Sequence, residues 1–202
     1  MHTNSKLMFQ KYVAQYISPG TRVLEIGPDG FPSSYRSMVE NETVVWHTLD
    51  LYANRGLTYR ATSEYAFPIQ DNAYDVVLSG NVFEHVPRVW VWMRELARVC
   101  KVEGYVITIS PVSWPYHEVP IDCWRAFPEG MKAVYREASL EVVLSIWESL
   151  ERVSFKRRIP GRSPEWQSLR LRLAYSLLGR FGFPVECAFD TVTIGRKVTG
   201  LA

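Results

Sequence analysis

The run Arg22-Val23-Leu24-Glu25-Ile26-Gly27-Pro28-Asp29-Gly30 divides into an apolar strand and a glycine turn. Val23, Leu24 and Ile26 suit a strand buried on both faces, as in a parallel sheet. The strand closes on acidic Glu25 and breaks at Gly27 and Gly30, residues that accept backbone angles and close approaches a Cβ forbids. In open α/β sheets, ligands bind where strand ends turn toward helices, so this turn is the first candidate site.

A dinucleotide fingerprint, G-x-G-x-x-G begun at Gly27, needs glycine where Asp29 and Pro32 stand, so the spacing rejects that reading. What remains is Glu25-x-Gly27 followed by Gly30. Downstream, Thr43 to Asp50 reads as a second strand that also closes on a carboxylate, and Ser33 or Ser34 can cap a short helix through Val39 between the two. Strand, helix, strand is the parallel crossover unit.

Working outward, Phe9, Tyr12, Val13 and Tyr16 recur at helical spacing within Leu7 to Ile17, a covering helix ended by Ser18-Pro19-Gly20. Leu51 to Thr62 is polar and irregular. Asp71-Asn72-Ala73 turns into a buried strand at Tyr74 to Ser79, and Asn81 stands at its end. A helix is expected from about Val89 to Cys100, with Trp90, Met93, Leu96, Ala97 and Cys100 as its apolar stripe. Lys101 to Gly104 reads as a turn before a fifth strand at Tyr105 to Ser110. Pro128 starts another helix through Ala138, a sixth strand spans Leu140 to Trp147, and Phe189 to Lys197 closes the sheet. Strands alternating with helices define a doubly wound α/β sheet.

These residues resemble the class I S-adenosylmethionine-dependent methyltransferases of small-molecule or sugar type. Glu25-x-Gly27 with Gly30 follows motif I, D/E-x-G-x-G-x-G, with Asp29 and Phe31 where that motif has glycine; Phe67-Pro68 before Asp75-Val76-Val77, and Glu84-His85-Val86 after the strand, match later segments. The resemblance implies a Rossmann-like, mostly parallel seven-stranded sheet with helices on both faces, and S-adenosylmethionine as cofactor with S-adenosylhomocysteine as product. It implies cofactor contacts from Glu25, Gly27, Asp29, Gly30, Asp50 (both ribose hydroxyls), Ser63 or Glu64 (the adenine amino group) and Asn81. A carboxylate suits the ribose, since two acceptor oxygens meet two vicinal O–H donors. His85, in the matched dipeptide, can act as a base or hydrogen-bond a neighbouring loop.

The acceptor is expected over Ser110 to Pro128, where aromatic, imidazole and charged side chains are interleaved among prolines after the fifth strand. A sulfonium methyl needs an in-line nucleophile and, for a hydroxyl, a group to take its proton. His117 is the candidate base; Asp122 and Arg125 suit polar or acidic groups, and Tyr116 and Trp124 suit a ring. Each also has a packing or pairing role open to it.

Composition agrees with one domain over residues 1–202. The chain has 202 residues, 47% of them hydrophobic, and a formal net charge of +2 that gives no push toward nucleic acid. Cys100, Cys123 and Cys187 are widely separated, which argues against a zinc site or a disulfide framework and for a reducing cytoplasm; no cluster of carboxylates suggests a metal. No apolar run approaches the ~20 residues that span a bilayer. The exception to even charge is an insertion at about 150–187, partly helical by its spacing of Trp166, Leu169, Leu173 and Leu177, which carries Lys156, Arg157, Arg158, Arg162, Arg170, Arg172 and Arg180. It suits a peripheral membrane contact, a homodimer, the acceptor, or a solvated helix face. A noncatalytic, methyltransferase-like binding or regulatory protein is the alternative to an enzyme acting on a small-molecule or sugar oxygen.

Overall fold

A computed structural model describes residues 3–52, 54–114, 116, 120–150, 173–174, 177, 180–181 and 188–199. Seven strands form one sheet: β1 (Arg22–Ile26), β2 (Val45–Asp50), β3 (Tyr59–Arg60), β4 (Tyr74–Gly80), β5 (Cys100–Ser113), β6 (Leu140–Glu148) and β7 (Phe189–Lys197). Their order is β3-β2-β1-β4-β5-β7-β6. All pairs from β3 to β5 are parallel, and β7 lies antiparallel between β5 and β6. This is the Rossmann-like arrangement expected from the sequence.

Residue alternation on the central strands builds two cores. Leu24, Ile26, Val77 and Val106 face α2 (Val89–Val99) and α3 (Pro128–Glu137), which contribute Trp92, Met93, Leu96, Met131 and Tyr135. Val23, Val76, Leu78, Ile107, Ile109 and Ile194 face the N-terminal segment, where Met8, Phe9 and Val13 are buried with Tyr35. Each fully buried side chain of this size contributes ~1.5–3 kcal/mol, so both layers are needed to hold a sheet whose central strands are apolar on both sides.

Several elements differ from expectation in extent. The N-terminal segment is helical from Thr3, as α1 (Thr3–Met8) continued by a π turn at Phe9–Val13 and a 3₁₀ turn at Ala14–Tyr16. The helix expected after the glycine turn shrinks to one 3₁₀ turn, Arg36–Met38. Tyr35, not Ser33 or Ser34, stands at its N-cap, while Ser33 Oγ further back accepts the Arg36 N–H at 3.0 Å. The polar stretch after Leu51 contains the short edge strand β3. Lys101 to Gly104 is no separate turn: β5 runs through it, and Glu103 at φ 66° marks the irregularity.

Candidate active site

The carboxyl ends of β1, β2 and β4 lie side by side, with Ile26 beside both Leu49 and Ser79. At the end of β1, Gly27 sits at φ +68° and donates its N–H to the Leu49 carbonyl at 2.9 Å. A Cβ there would fall 2.4 Å from Val82 Cγ2, so the turn has no room for a side chain. At Gly30 the nearest atom to such a Cβ is the Pro32 carbonyl at 3.6 Å, an ordinary contact. The steric demand of the motif therefore rests on Gly27.

Its two departures from the glycine pattern are structurally absorbed. Asp29 accepts the Ser34 N–H at 2.7 Å and the Ser34 hydroxyl at 2.6 Å. Phe31 packs where a Cβ on Gly56 would lie 2.3 Å from its ring, so the missing side chain at position 56 makes space for the extra one at 31.

Asp50 ends β2, half-buried, with Oδ1 accepting the N–H groups of Leu51 at 2.6 Å and Tyr52 at 3.2 Å. Two main-chain donors on one oxygen fix the carboxylate and leave Oδ2 for a ligand. Asn81 follows β4 at φ 58°, with its N–H on the Ile109 carbonyl at 2.8 Å. Ser63 and Glu64 lie in a turn closed by a Ser63–Ala66 bridge, where Ser63 Oγ accepts the Tyr65 N–H at 3.1 Å. Arg98 and Glu95 of α2 pin the segment that follows: Glu95 accepts the Phe67 N–H, and Arg98 reaches the Phe67 and Ile69 carbonyls and Asp71.

Glu25 is placed beneath this edge. Its Oε2 accepts the Ser33 hydroxyl at 2.5 Å and the Trp46 indole N–H at 2.8 Å, while Oε1 is buried without a partner. Burial pushes its pKa up to about 7, against the pull of those two donors and with a small push from Asp29. Tyr35 stacks on Phe9 and lies under the end of β4, its hydroxyl 2.1 Å from where a Gly80 Cβ would stand. That hydroxyl meets Ser5 Oγ at 2.6 Å, and Asn4 donates to Asp190 Oδ2 at 2.6 Å. The first helix thus brings polar groups to the carboxyl edge, which its apolar periodicity did not signal.

The loop after β5 is tied to the turn after β4 by main-chain and side-chain bonds. His85 Nδ1 donates to the Ile121 carbonyl, which fixes the hydrogen on that nitrogen. Cys123 N–H reaches the Glu84 carbonyl at 2.7 Å, and the Trp124 indole N–H reaches the Val86 carbonyl at 2.9 Å. Trp124 also stands edge-on to Trp90 at 6.3 Å. Arg125 and Asp122 form a two-pronged ion pair, with Nη2 to Oδ2 at 2.5 Å, and Asp122 is nearly inaccessible. Tyr116 is 70% exposed. His117 lies outside the described residues, as does most of the basic insertion. Among the described residues no group of His, Cys, Asp and Glu is arranged to hold a metal, and no helix is long and apolar enough to cross a membrane.

The sequence places Glu84 in the matched segment Glu84-His85-Val86 but does not signal its burial. Glu84 is the middle residue of the 3₁₀ turn Phe83–His85 and is 1% exposed. Nothing local marks that burial, since the groups around it come from the loop at 122–125 and from β7.

Residues 40–108 match the methyltransferase domain family. An uncharacterised methyltransferase of Mycobacteroides abscessus is 29% identical over 108 residues, covering 51% of this chain and 36% of that protein. One from Mycobacterium tuberculosis is 46% identical over 59 residues, covering 29% of this chain and 22% of its own length. The chain therefore spans about a third or less of these relatives. A putative methyltransferase from Bacillus halodurans superposes with a TM-score of 0.64 at 13% identity, covering 98% of this chain and 100% of that one. A SAM-dependent methyltransferase from Archaeoglobus fulgidus does so with 0.62 at 16%, covering 95% and 92%. The strand order and these likenesses show the class I methyltransferase fold, and the match to the methyltransferase domain family runs over residues 40–108. S-adenosylmethionine is the cofactor of that family.

Proposed function

We propose that this chain transfers a methyl group from S-adenosylmethionine to an oxygen of a small molecule or sugar. The observation that carries the reading is the pairing of a side-chain-free turn at Gly27 with a carboxylate at Asp50 that keeps one oxygen for a ligand. The residues fit the cofactor: a backbone turn for its amino-acid portion, Asp50 for the ribose hydroxyls, and the turn at Ser63 and Glu64 for the base. Bound there, the cofactor supplies an electrophilic methyl on a positively charged sulfur. Asn81 follows β4 at this edge, and the loop at Trp114 to Arg125 is read as receiving the acceptor, with His117 as a candidate base or substrate contact.

The test is calorimetric binding of S-adenosylmethionine followed by transfer of a labelled methyl to a panel of hydroxylated acceptors. Binding without transfer would favour a ligand-sensing role; no binding would overturn the reading. Asp50→Ala is expected to weaken cofactor affinity by ~1.5–3 kcal/mol, about 10- to 150-fold, the scale of charge-assisted hydrogen bonds. Unchanged affinity in that variant would remove Asp50 from the site.

The basic insertion is read as a surface for an anionic partner. Leu173, Leu177 and Phe181, at four-residue spacing, are 58%, 59% and 72% exposed. Co-sedimentation with vesicles of anionic lipid that declines as salt rises is the expected result; its absence at low salt would leave dimer or acceptor contacts.

A further inference from the structure

Glu84 stands where the cofactor turn and the acceptor loop meet. Two residues before it, Val82 fills the space above Gly27, and its own carbonyl carries the Cys123 N–H of the loop. Its Oε2 is buried without a hydrogen-bond partner. The groups that face it are His85, whose Nε2 is 3.8 Å from Oε1, Asp122 and Arg125 of the loop, and Asp190 of β7. Arg125, the permanent cation among them, is engaged by Asp122. A carboxyl buried in this way is costly as a lone anion. Burial pushes it up to about 8; its own N–H and Arg125 oppose the shift, and Asp190 and Asp122 add to it.

We propose, on the methyl-transfer reading above, that Glu84 takes the proton the acceptor gives up, and that its charge is matched to the charge on the cofactor sulfur. The acceptor atom uses a lone pair to bond the methyl carbon, displaces the thioether with the former carbon–sulfur pair, and passes its proton to Glu84 Oε2. Before transfer the site holds a cation and a carboxylate. Afterwards it holds a neutral thioether and a neutral carboxylic acid. Both buried charges vanish in one step, and the proton acceptor has an affinity suited to neutral pH. The acceptor must therefore carry a transferable proton, as a hydroxyl or N–H does. His85, whose Nδ1 is committed to the Ile121 carbonyl, acts as a tie for the loop.

The test is calorimetry of S-adenosylmethionine and S-adenosylhomocysteine binding at pH 7 in two buffers of different ionisation enthalpy. The wild type is expected to release up to about one proton more with the charged ligand than with the neutral one, because a cation favours the ionised carboxylate. Glu84→Gln should abolish that difference. A wild type with no difference, or a Glu84→Gln protein that retains it, would overturn the proposal. A measurement on the wild type alone guards against a variant that fails to fold. The ratio of the two affinities should shift toward S-adenosylmethionine as pH rises, by up to about tenfold per unit, and level off near pH 8. A flat ratio would overturn the proposal. If neither ligand binds the wild type, the methyltransferase reading itself falls and takes this one with it.

Discussion

Gly27→Val is expected to abolish measurable cofactor binding and to cost about 2–5 kcal/mol of folding stability. Two terms make up the cost. A non-glycine residue at φ +68° pays ~1–2 kcal/mol for its left-handed backbone. The new Cβ, 2.4 Å from Val82 Cγ2, forces an overpacking that typically costs ~1–3 kcal/mol. The sequence alone suggests a variant that folds and merely fails to bind, whereas the contact with Val82 adds a stability penalty. Denaturant unfolding and calorimetry separate the two effects. In Gly27→Ala, adding Val82→Ala should recover the packing part and leave the backbone part, a coupling that a double-mutant cycle reads directly. A Gly27→Val protein with wild-type affinity would remove the turn from the cofactor site.

The second large effect is a pH dependence of stability from Glu25. Its carboxyl titrates at about 7 in the folded chain against 4.5 as the ordinary value. Between those values the folded state holds a proton that the unfolded state has lost. The stabilising contribution is thus fully present below the unfolded value and declines as pH rises through the folded one. The loss is on the order of 3 kcal/mol over that window. Glu25→Gln should flatten this decline. The comparison must use the slope, because a Gln places an N–H₂ where Oε1 is buried without a partner, a penalty that does not vary with pH. Glu84 adds a decline of the same sign up to about pH 8, so the variant retains part of the dependence. An unaltered slope between pH 4.5 and 7 would show that Glu25 is ionised in the folded protein.

The two glutamates also divide the site. Glu25 is held by Ser33 and Trp46, whereas the main chain of Glu84 is bonded by Cys123 of the loop after β5. One is a carboxyl with donors already on it; the other has an oxygen buried without a partner.

What the sequence determined by itself was six of the seven strands, β3 being the exception, and the glycine turn and carboxylate at the ends of β1 and β2. These follow from short-range facts: an apolar run of strand length, a glycine that must turn, and a carboxylate one residue past the last buried position. Val23 to Gly27, Leu49-Asp50 and Val76 to Asn81 each carry their meaning within a few residues. Tertiary structure decided what lies between them. Asn4 meets Asp190 across 186 residues, Tyr35 slides under Gly80, and Cys123 bonds over Glu84. A buried carboxyl looks like any surface glutamate in the sequence, because burial is a property of the residues that cover it, and those arrive from elements far along the chain. The same cause explains the shortened helix after Ser33. Its apolar residues include Tyr35, whose burial under β4 and against Phe9 fixes the segment more strongly than helix propensity can extend it.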